Sequence, residues 1–142
     1  MSMDDRYFYI RRVGLGIVAM VLAGVVRDVI TPRIFDYDLH PNQFLYFQLL
    51  PSLEGALWSG LVVFVGAFVA GVRFVIPAIV YYSSMTALAF HILFLIAKPA
   101  EPMSYLEIAA RNSLGAALGL VVVVLAAELG TSLSRKRFEA AS

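Results

Sequence analysis

Two charged residues, Arg27 and Asp28, lie side by side at the end of a long apolar segment of this 142-residue chain. No charged residue occurs in the segment 13–26 that precedes them. A charge at the centre of a membrane costs about 2.5–3.5 kcal/mol on insertion scales, and less near a helix end. Arg27 can extend its long stem to the lipid headgroups, whereas the shorter Asp28 needs a closer donor. The pair therefore indicates either a polar site or the edge of a membrane span.

Comparable polar residues occur in three other apolar segments. Glu54 lies at the start of the second segment, and His91 lies about 9 Å before the end of the third, at 1.5 Å per residue. Glu107 precedes Arg111 by four residues in the fourth, the favourable order for a helical ion pair. We expect these groups to meet in the outer third of a helical bundle, as a pocket for a polar or ionic solute or as structural ion pairs. The candidate binding residues are Arg27, Asp28, Glu54, Tyr81, Ser84, His91, Arg111 and Asn112.

His91 has three possible roles: a hydrogen-bonded residue of the bundle, which we favour, a group that handles protons or substrate, or a metal ligand. The other histidine, His40, lies in a loop, and no HExxH pattern or cysteine is present. We therefore predict no metal and no cofactor. No nucleophile and base occur at a catalytic spacing, so an enzyme is the least favoured function.

The composition indicates the solvent that surrounds these residues. Hydrophobic residues make up 61% of the chain, charged residues make up 15%, and the mean hydropathy is +0.82. Soluble domains carry about 25% charged residues, and a chain this small cannot bury so much apolar surface. We therefore predict an integral membrane protein. A net charge of +1, without basic runs between aromatic residues, argues against nucleic-acid binding.

The apolar segments predict an all-α bundle of four transmembrane helices in a single domain over 1–142. Pro77 is suited to the first position of the third helix. Ser104 and Glu107 have the spacing of a capping box at the start of the fourth, and Gly130 is suited to ending it. The predicted spans are 13–30, 53–72, 77–97 and 105–129, each close to the roughly 20 residues that a bilayer requires.

The first outer loop contains the segment PNQFLYFQLLP, which begins at Pro41 and ends at Pro51. It is too short to span a membrane and mixes aromatic residues with amides. We expect a short helix in the membrane interface, where aromatic rings lie among the headgroups. A re-entrant segment is the alternative.

Small residues four apart indicate how the helices pack, since close approach drives helix association in lipid. Gly115 and Gly119 have this spacing in the fourth segment, and Gly66 and Ala70 have it in the second. We favour contacts within one bundle. An interface with a second copy or with another protein is the alternative.

The basic residues predict the orientation, because cytoplasmic loops carry an excess of lysine and arginine. Seven basic residues flank the spans on one side: Arg6, Arg11, Arg12, Arg73, Arg135, Lys136 and Arg137. The other side has only four: Arg27, Arg33, Lys98 and Arg111. We therefore expect both termini in the cytoplasm, and a bacterial inner membrane as the location.

Three functions fit these features. We favour an accessory or assembly subunit of a membrane complex, in contact with membrane lipid and with a protein partner or a second copy. The alternative is a homo-oligomeric transporter or channel for a small polar or ionic solute, which uses the outer-facing pocket. An outer-leaflet enzyme that acts on lipid headgroups is less favoured.

The orientation can be tested by labelling single cysteines, since the chain has no cysteine of its own. We expect Arg73→Cys to react with a membrane-impermeant maleimide only from the cytoplasmic side. Ser104→Cys is expected to react only from the opposite side. Labelling of both residues from the same side would contradict the four-span topology.

Overall fold

The computed structural model describes residues 3–30, 50–97 and 104–139, and within these ranges it contains helices and no strand. Four of the helices are long and apolar enough to cross a membrane, which confirms the predicted membrane bundle. The bundle also includes one short helix. The elements are α1 (Met3–Ile30), α2 (Leu50–Ala70), α3 (Val75–Ala97), α4 (Tyr105–Arg111) and α5 (Ser113–Glu139).

The first two helices begin earlier than the apolar segments suggest. α1 begins ten residues before the predicted span, and α2 begins at Leu50 rather than Leu53. Hydropathy marks only the apolar part of a helix, whereas backbone hydrogen bonding continues it into more polar sequence. Pro51 lies in the first turn of α2, where its missing N–H needs no partner. The predicted interfacial helix lies outside the described residues, except for its last two residues, which begin α2.

The connection between α2 and α3 is a tight turn at residues 71–74. Gly71 adopts the left-handed conformation, with φ 63°, and its N–H donates to the Ala67 carbonyl at 3.1 Å. This arrangement is a glycine C-cap, and it ends α2. Pro77 is the third residue of α3 rather than the predicted first. Its missing N–H still costs nothing there, because the first four N–H groups of a helix have no helical partner.

The predicted fourth span is interrupted at Asn112, which separates α4 from α5. The predicted capping box at Ser104 is confirmed at the start of α4. The predicted end near Gly130 is wrong, because α5 continues through this residue to Glu139. A Cβ atom on Gly130 would lie 2.7 Å from the Phe64 carbonyl oxygen. The glycine therefore allows a close contact with α2 and does not end the helix.

α2 is the central helix of the bundle. It packs most extensively with α5 and next with α1, whereas α3 packs mainly against α5. Around the bundle the order is therefore α1, α2, α5, α3. Apolar side chains from all four spans or their connections form the core, and the largest fully buried ones are Met20, Val63, Phe74 and Val123.

Small residues set the helix contacts within the bundle, as the sequence predicted. A Cβ atom on Gly16 would lie 2.7 Å from the Gly66 carbonyl oxygen, and one on Gly66 would lie 2.8 Å from that of Gly16. The α1 and α2 backbones therefore touch directly. Gly115 lies against Ser52 of α2, and Gly119 lies against the Tyr82 hydroxyl of α3.

Both termini and the 71–74 turn lie at the same end of the bundle, which we call the termini end. The Tyr9 hydroxyl donates to the Arg73 carbonyl at 3.0 Å. The hydroxyl of Thr131, in α5, lies 3.2 Å from the Val72 carbonyl oxygen. The Tyr9 contact provides a donor for a carbonyl group of the turn. We call the opposite end, where α2 begins and α3 ends, the open end.

The contact between α1 and α2 can be tested with a matched pair of glycine substitutions. We expect Gly16→Ala to lower the stability by about 1–3 kcal/mol, because the added methyl group meets the α2 backbone. Gly14→Ala is the control, since a Cβ atom there has nothing within 4 Å. Thermal unfolding in detergent measures both variants. Equal midpoints would show that the Gly16 contact is absent.

Candidate functional site

A cavity of about 670 Å³ lies between the four spans toward the open end of the bundle. Its volume falls within the range of about 300–1,000 Å³ that is typical of small-molecule sites. Much of the wall is apolar, with side chains such as Val21, Val62, Met85 and Phe90. The polar lining residues are Arg27, Ser52, Ser59, Tyr81, Tyr82, Thr86, Arg111 and Asn112.

The apolar core closes the cavity toward the termini end. Val62 and Val63 line the cavity and are themselves buried. Met20 and Phe74, which are fully buried, do not line it. Together with the direct contact between α1 and α2, this packing blocks a path through the described part of the bundle. The cavity is therefore closed at its termini side.

Arg27 brings one positive charge to the cavity from the last turn of α1. The residue is half-buried, and its Nε atom is buried. A cation in this position also interacts favourably with the carbonyl end of the α1 dipole. Asp28 follows Arg27 in the helix, but its side chain lies outside the described part of the chain.

Arg111 brings a second positive charge from the junction of α4 and α5. The buried side chain of Ile108 anchors α4. The Tyr105 ring packs edge-on against Phe94 of α3, with ring centroids 6.2 Å apart. Next to Arg111, the Asn112 amide donates to the Ile108 carbonyl at 2.8 Å, which stabilises the junction. The short helix thus holds Arg111 and Asn112 at the cavity.

The predicted ion pair between Glu107 and Arg111 is absent. The Glu107 carboxylate instead accepts from the Ser104 backbone N–H at 2.7 Å and from its hydroxyl at 2.9 Å. These hydrogen bonds, with a smaller contribution from the charge of Arg111, lower the pKa of Glu107. The capping box therefore engages the acid at the start of α4 and leaves Arg111 on the cavity wall.

Two hydroxyl groups on the cavity wall donate hydrogen bonds to backbone carbonyls of the protein. Ser59 donates to the Gly55 carbonyl at 2.7 Å, within α2. The Tyr82 hydroxyl donates to the Ala116 carbonyl of α5 at 3.1 Å, and Gly119 provides room for its ring. These side chains shape the wall through hydrogen bonds within the protein.

The structure brings together four of the eight predicted site residues: Arg27, Tyr81, Arg111 and Asn112. The side chain of Asp28 lies outside the described part of the chain, so its position relative to the cavity is not assigned. Glu54, Ser84 and His91 do not line the cavity, and Ser84 and His91 are exposed. Any binding role of these four residues stays a prediction.

The orientation of α3 explains why Ser84 and His91 lie apart from Tyr81. The helix turns by about 100° per residue, and its cavity-facing stripe contains Tyr81, Tyr82, Met85, Thr86, Ala89 and Phe90. Ser84 and His91 lie largely on the other side of the helix. Four polar residues that were not predicted from the sequence also line the cavity: Tyr82 and Thr86, which are spaced four residues apart, and Ser52 and Ser59. The spacing of Tyr82 and Thr86 was a usable signal for the inward face.

The charged residues among the described lining of the cavity are arginines. Two guanidinium groups line it, whereas no aspartate or glutamate is among its described lining residues. Guanidinium binds carboxylate and phosphate through paired hydrogen bonds. Charges interact more strongly beside low-dielectric walls than in water. The arrangement is therefore suited to binding an anionic group and holding it at the open end.

Comparison of the chain with protein-family models, with curated proteins and with solved structures yields no match. The functional interpretation therefore depends on the geometry of the cavity and on the membrane-spanning helices around it.

Proposed function

We propose that this protein is a membrane transporter that binds an anionic substrate in the cavity at its open end. The observation that carries this proposal is the presence of Arg27 and Arg111 on the wall of one cavity. These residues belong to opposite halves of the chain, and both line the cavity because α1 packs on α2 while α4 packs on α3 and α5. Asn112, which follows Arg111 in the chain, also lines the cavity.

The energetic cost of arginine in a membrane supports a binding role for the two cations. Insertion scales assign an arginine a cost of about 2.5–3.5 kcal/mol at mid-membrane and less near a helix end. An anionic ligand offsets part of this cost through charge-assisted hydrogen bonds. Arginine is also better suited than lysine to gripping a planar carboxylate or a phosphate.

The closed termini side supports a carrier rather than an open channel. Met20 and Phe74 fill the bundle beyond the cavity, so a substrate bound there has no through-path in this conformation. A cavity accessible from one side is what an alternating-access carrier presents before its substrate moves on. Four spans enclose little space, and we propose that the carrier works as a homo-oligomer.

The distribution of basic residues supports an orientation with the termini end in the cytoplasm. Arg73 and the basic residues 135–137 lie at that end. The cavity then faces the outside of the cell. In a bacterial inner membrane, this orientation suits the uptake or the reorientation of an anion that is present at the outer surface.

The small residues no longer favour an accessory subunit over a transporter. Gly66, Gly115 and Gly119 all pack against other helices of the same bundle. Purification in a mild detergent separates the two functions. A homo-oligomer without other proteins is expected, whereas a stoichiometric larger partner would support the subunit.

We expect Arg111→Gln to weaken anion binding by about 10- to 100-fold, since a hydrogen bond to a charged group contributes about 1.5–3 kcal/mol. The probes are glycerol phosphate and phosphatidylglycerol, and binding is measured as the rise in the thermal midpoint of the purified protein. Movement of the same probes across proteoliposome membranes tests transport. Arg135→Gln, at the termini end of α5, is the matched control and is expected to behave like the parent.

Two results would reject this site. Binding of neither probe, or equal binding by the Arg111→Gln and Arg135→Gln variants, would show that the cavity does not recognise negatively charged ligands. Loss of binding in Asp28→Asn or His91→Ala, with Arg111→Gln unaffected, would instead favour the site that was predicted from the sequence.

A further inference from the structure

The side of the cavity between α1 and α3 indicates which class of anion it takes. We propose that the substrate is an anionic phospholipid from the surrounding membrane. Its phosphate lies at Arg27 and Arg111, and one acyl chain lies in the seam between α1 and α3. This inference rests on the proposed function and names the substrate class of the same cavity.

The seam follows from the order of the helices. α2 packs closely with α1 and α5, and α5 packs with α3, but α1 and α3 make few contacts with each other. The ring of helices is therefore incomplete on this side. Gly24 of α1 faces Tyr81 of α3 across the seam, and a Cβ atom on Gly24 would lie 3.6 Å from the Tyr81 hydroxyl.

Apolar side chains line both sides of the seam and are open to the outside of the bundle. Val21 and Val25 of α1 line the cavity and are 47% and 58% exposed. Met85 of α3 also lines it and is 48% exposed. In a bilayer these exposed surfaces face lipid tails. On this side the cavity wall is thus apolar and borders the hydrocarbon region.

The charges lie where a phospholipid headgroup would place its phosphate. Arg27 is in the last turn of α1, and Arg111 directly precedes the junction with α5, so both lie near the ends of spans. The apolar floor at Val62 and Val63 lies deeper. This polarity, with cations near the interface and an apolar floor within the membrane, matches an anionic headgroup followed by an acyl chain.

A small water-soluble anion fits these observations less well. Paired guanidinium groups alone suffice to bind a free phosphate, and such a ligand gains nothing from the exposed valine and methionine side chains. A cavity of about 670 Å³ with mostly apolar walls leaves room for hydrocarbon beside a headgroup. Burial of each methylene group contributes about 0.8 kcal/mol, so an acyl chain gains affinity from the same walls.

The test compares three probes on the full-length protein in detergent. The first is phosphatidylglycerol, the second is phosphatidylcholine with identical acyl chains, and the third is glycerol phosphate. Binding is measured by the thermal midpoint and by native mass spectrometry. We expect saturable binding of phosphatidylglycerol, which Arg111→Gln weakens, and no comparable binding of the other two probes.

The seam is tested with a matched pair of substitutions in α1. Gly24→Leu is expected to lower the affinity for phosphatidylglycerol about tenfold or more, since displacing two methylene groups already costs that much. Gly14→Leu is the control, because Gly14 lies on the same helix with open space around it. Val25→Trp, at an exposed position on the edge of the seam, provides a second obstruction if Gly24→Leu does not fold.

The outcomes separate this inference from the proposed function. Equal affinity for glycerol phosphate and phosphatidylglycerol would overturn the lipid assignment and leave the anion site intact. Unchanged phosphatidylglycerol binding in both Gly24→Leu and Val25→Trp would overturn the seam as the place of the acyl chain. Equal binding of phosphatidylcholine and phosphatidylglycerol, unaffected by Arg111→Gln, would overturn both proposals.

Discussion

The direct backbone contact between α1 and α2 at Gly16 and Gly66 is the constraint on which the arrangement of the bundle depends. Close packing of small residues is a main source of helix association in lipid, where apolar burial alone gives no preference for a protein neighbour. The contact lies toward the termini end, beside the ring of Phe74. There the helices are held tightly, whereas toward the open end they enclose a cavity. The tight contact thus lies at one end of the bundle and the cavity at the other.

A second constraint acts on the polar groups at the open end. Each must have a hydrogen-bond or ion-pair partner or lie near the membrane interface. The capping box resolves this requirement for Glu107 through Ser104. Arg111 then remains on the cavity wall across from α1, where Arg27 is already half-buried. A local helix-start motif therefore determines the charge of a cavity built from distant parts of the chain. That charge is the basis of the proposed preference for anions.

The cavity and the seam combine two recognition chemistries in one membrane site. In the proposed site, the guanidinium groups bind an anionic headgroup and the exposed apolar edges of α1 and α3 accommodate an acyl chain. In a bundle of only four spans, one pair of neighbouring helices can remain out of close contact, and their apolar edges are then exposed. In this chain the loosely packed pair is α1 and α3. Under the proposed function, a lipid enters the site between these two helices.

The sequence by itself determined the number of spans, their approximate positions and the cap at Ser104, because hydropathy and capping depend on residues close together in the chain. It also identified Arg27, Arg111 and Asn112 as polar residues at comparable depth, and Tyr81 as part of a polar face of the third span. Only the tertiary structure decided that Tyr82 and Thr86 face the cavity while Ser84 and His91 do not, since the rotation of α3 depends on its contact with α5. The role of Gly130 was decided in the same way. A glycine is suited both to a helix end and to a close helix crossing, and only the neighbouring backbone of α2 shows that Gly130 lies at a crossing.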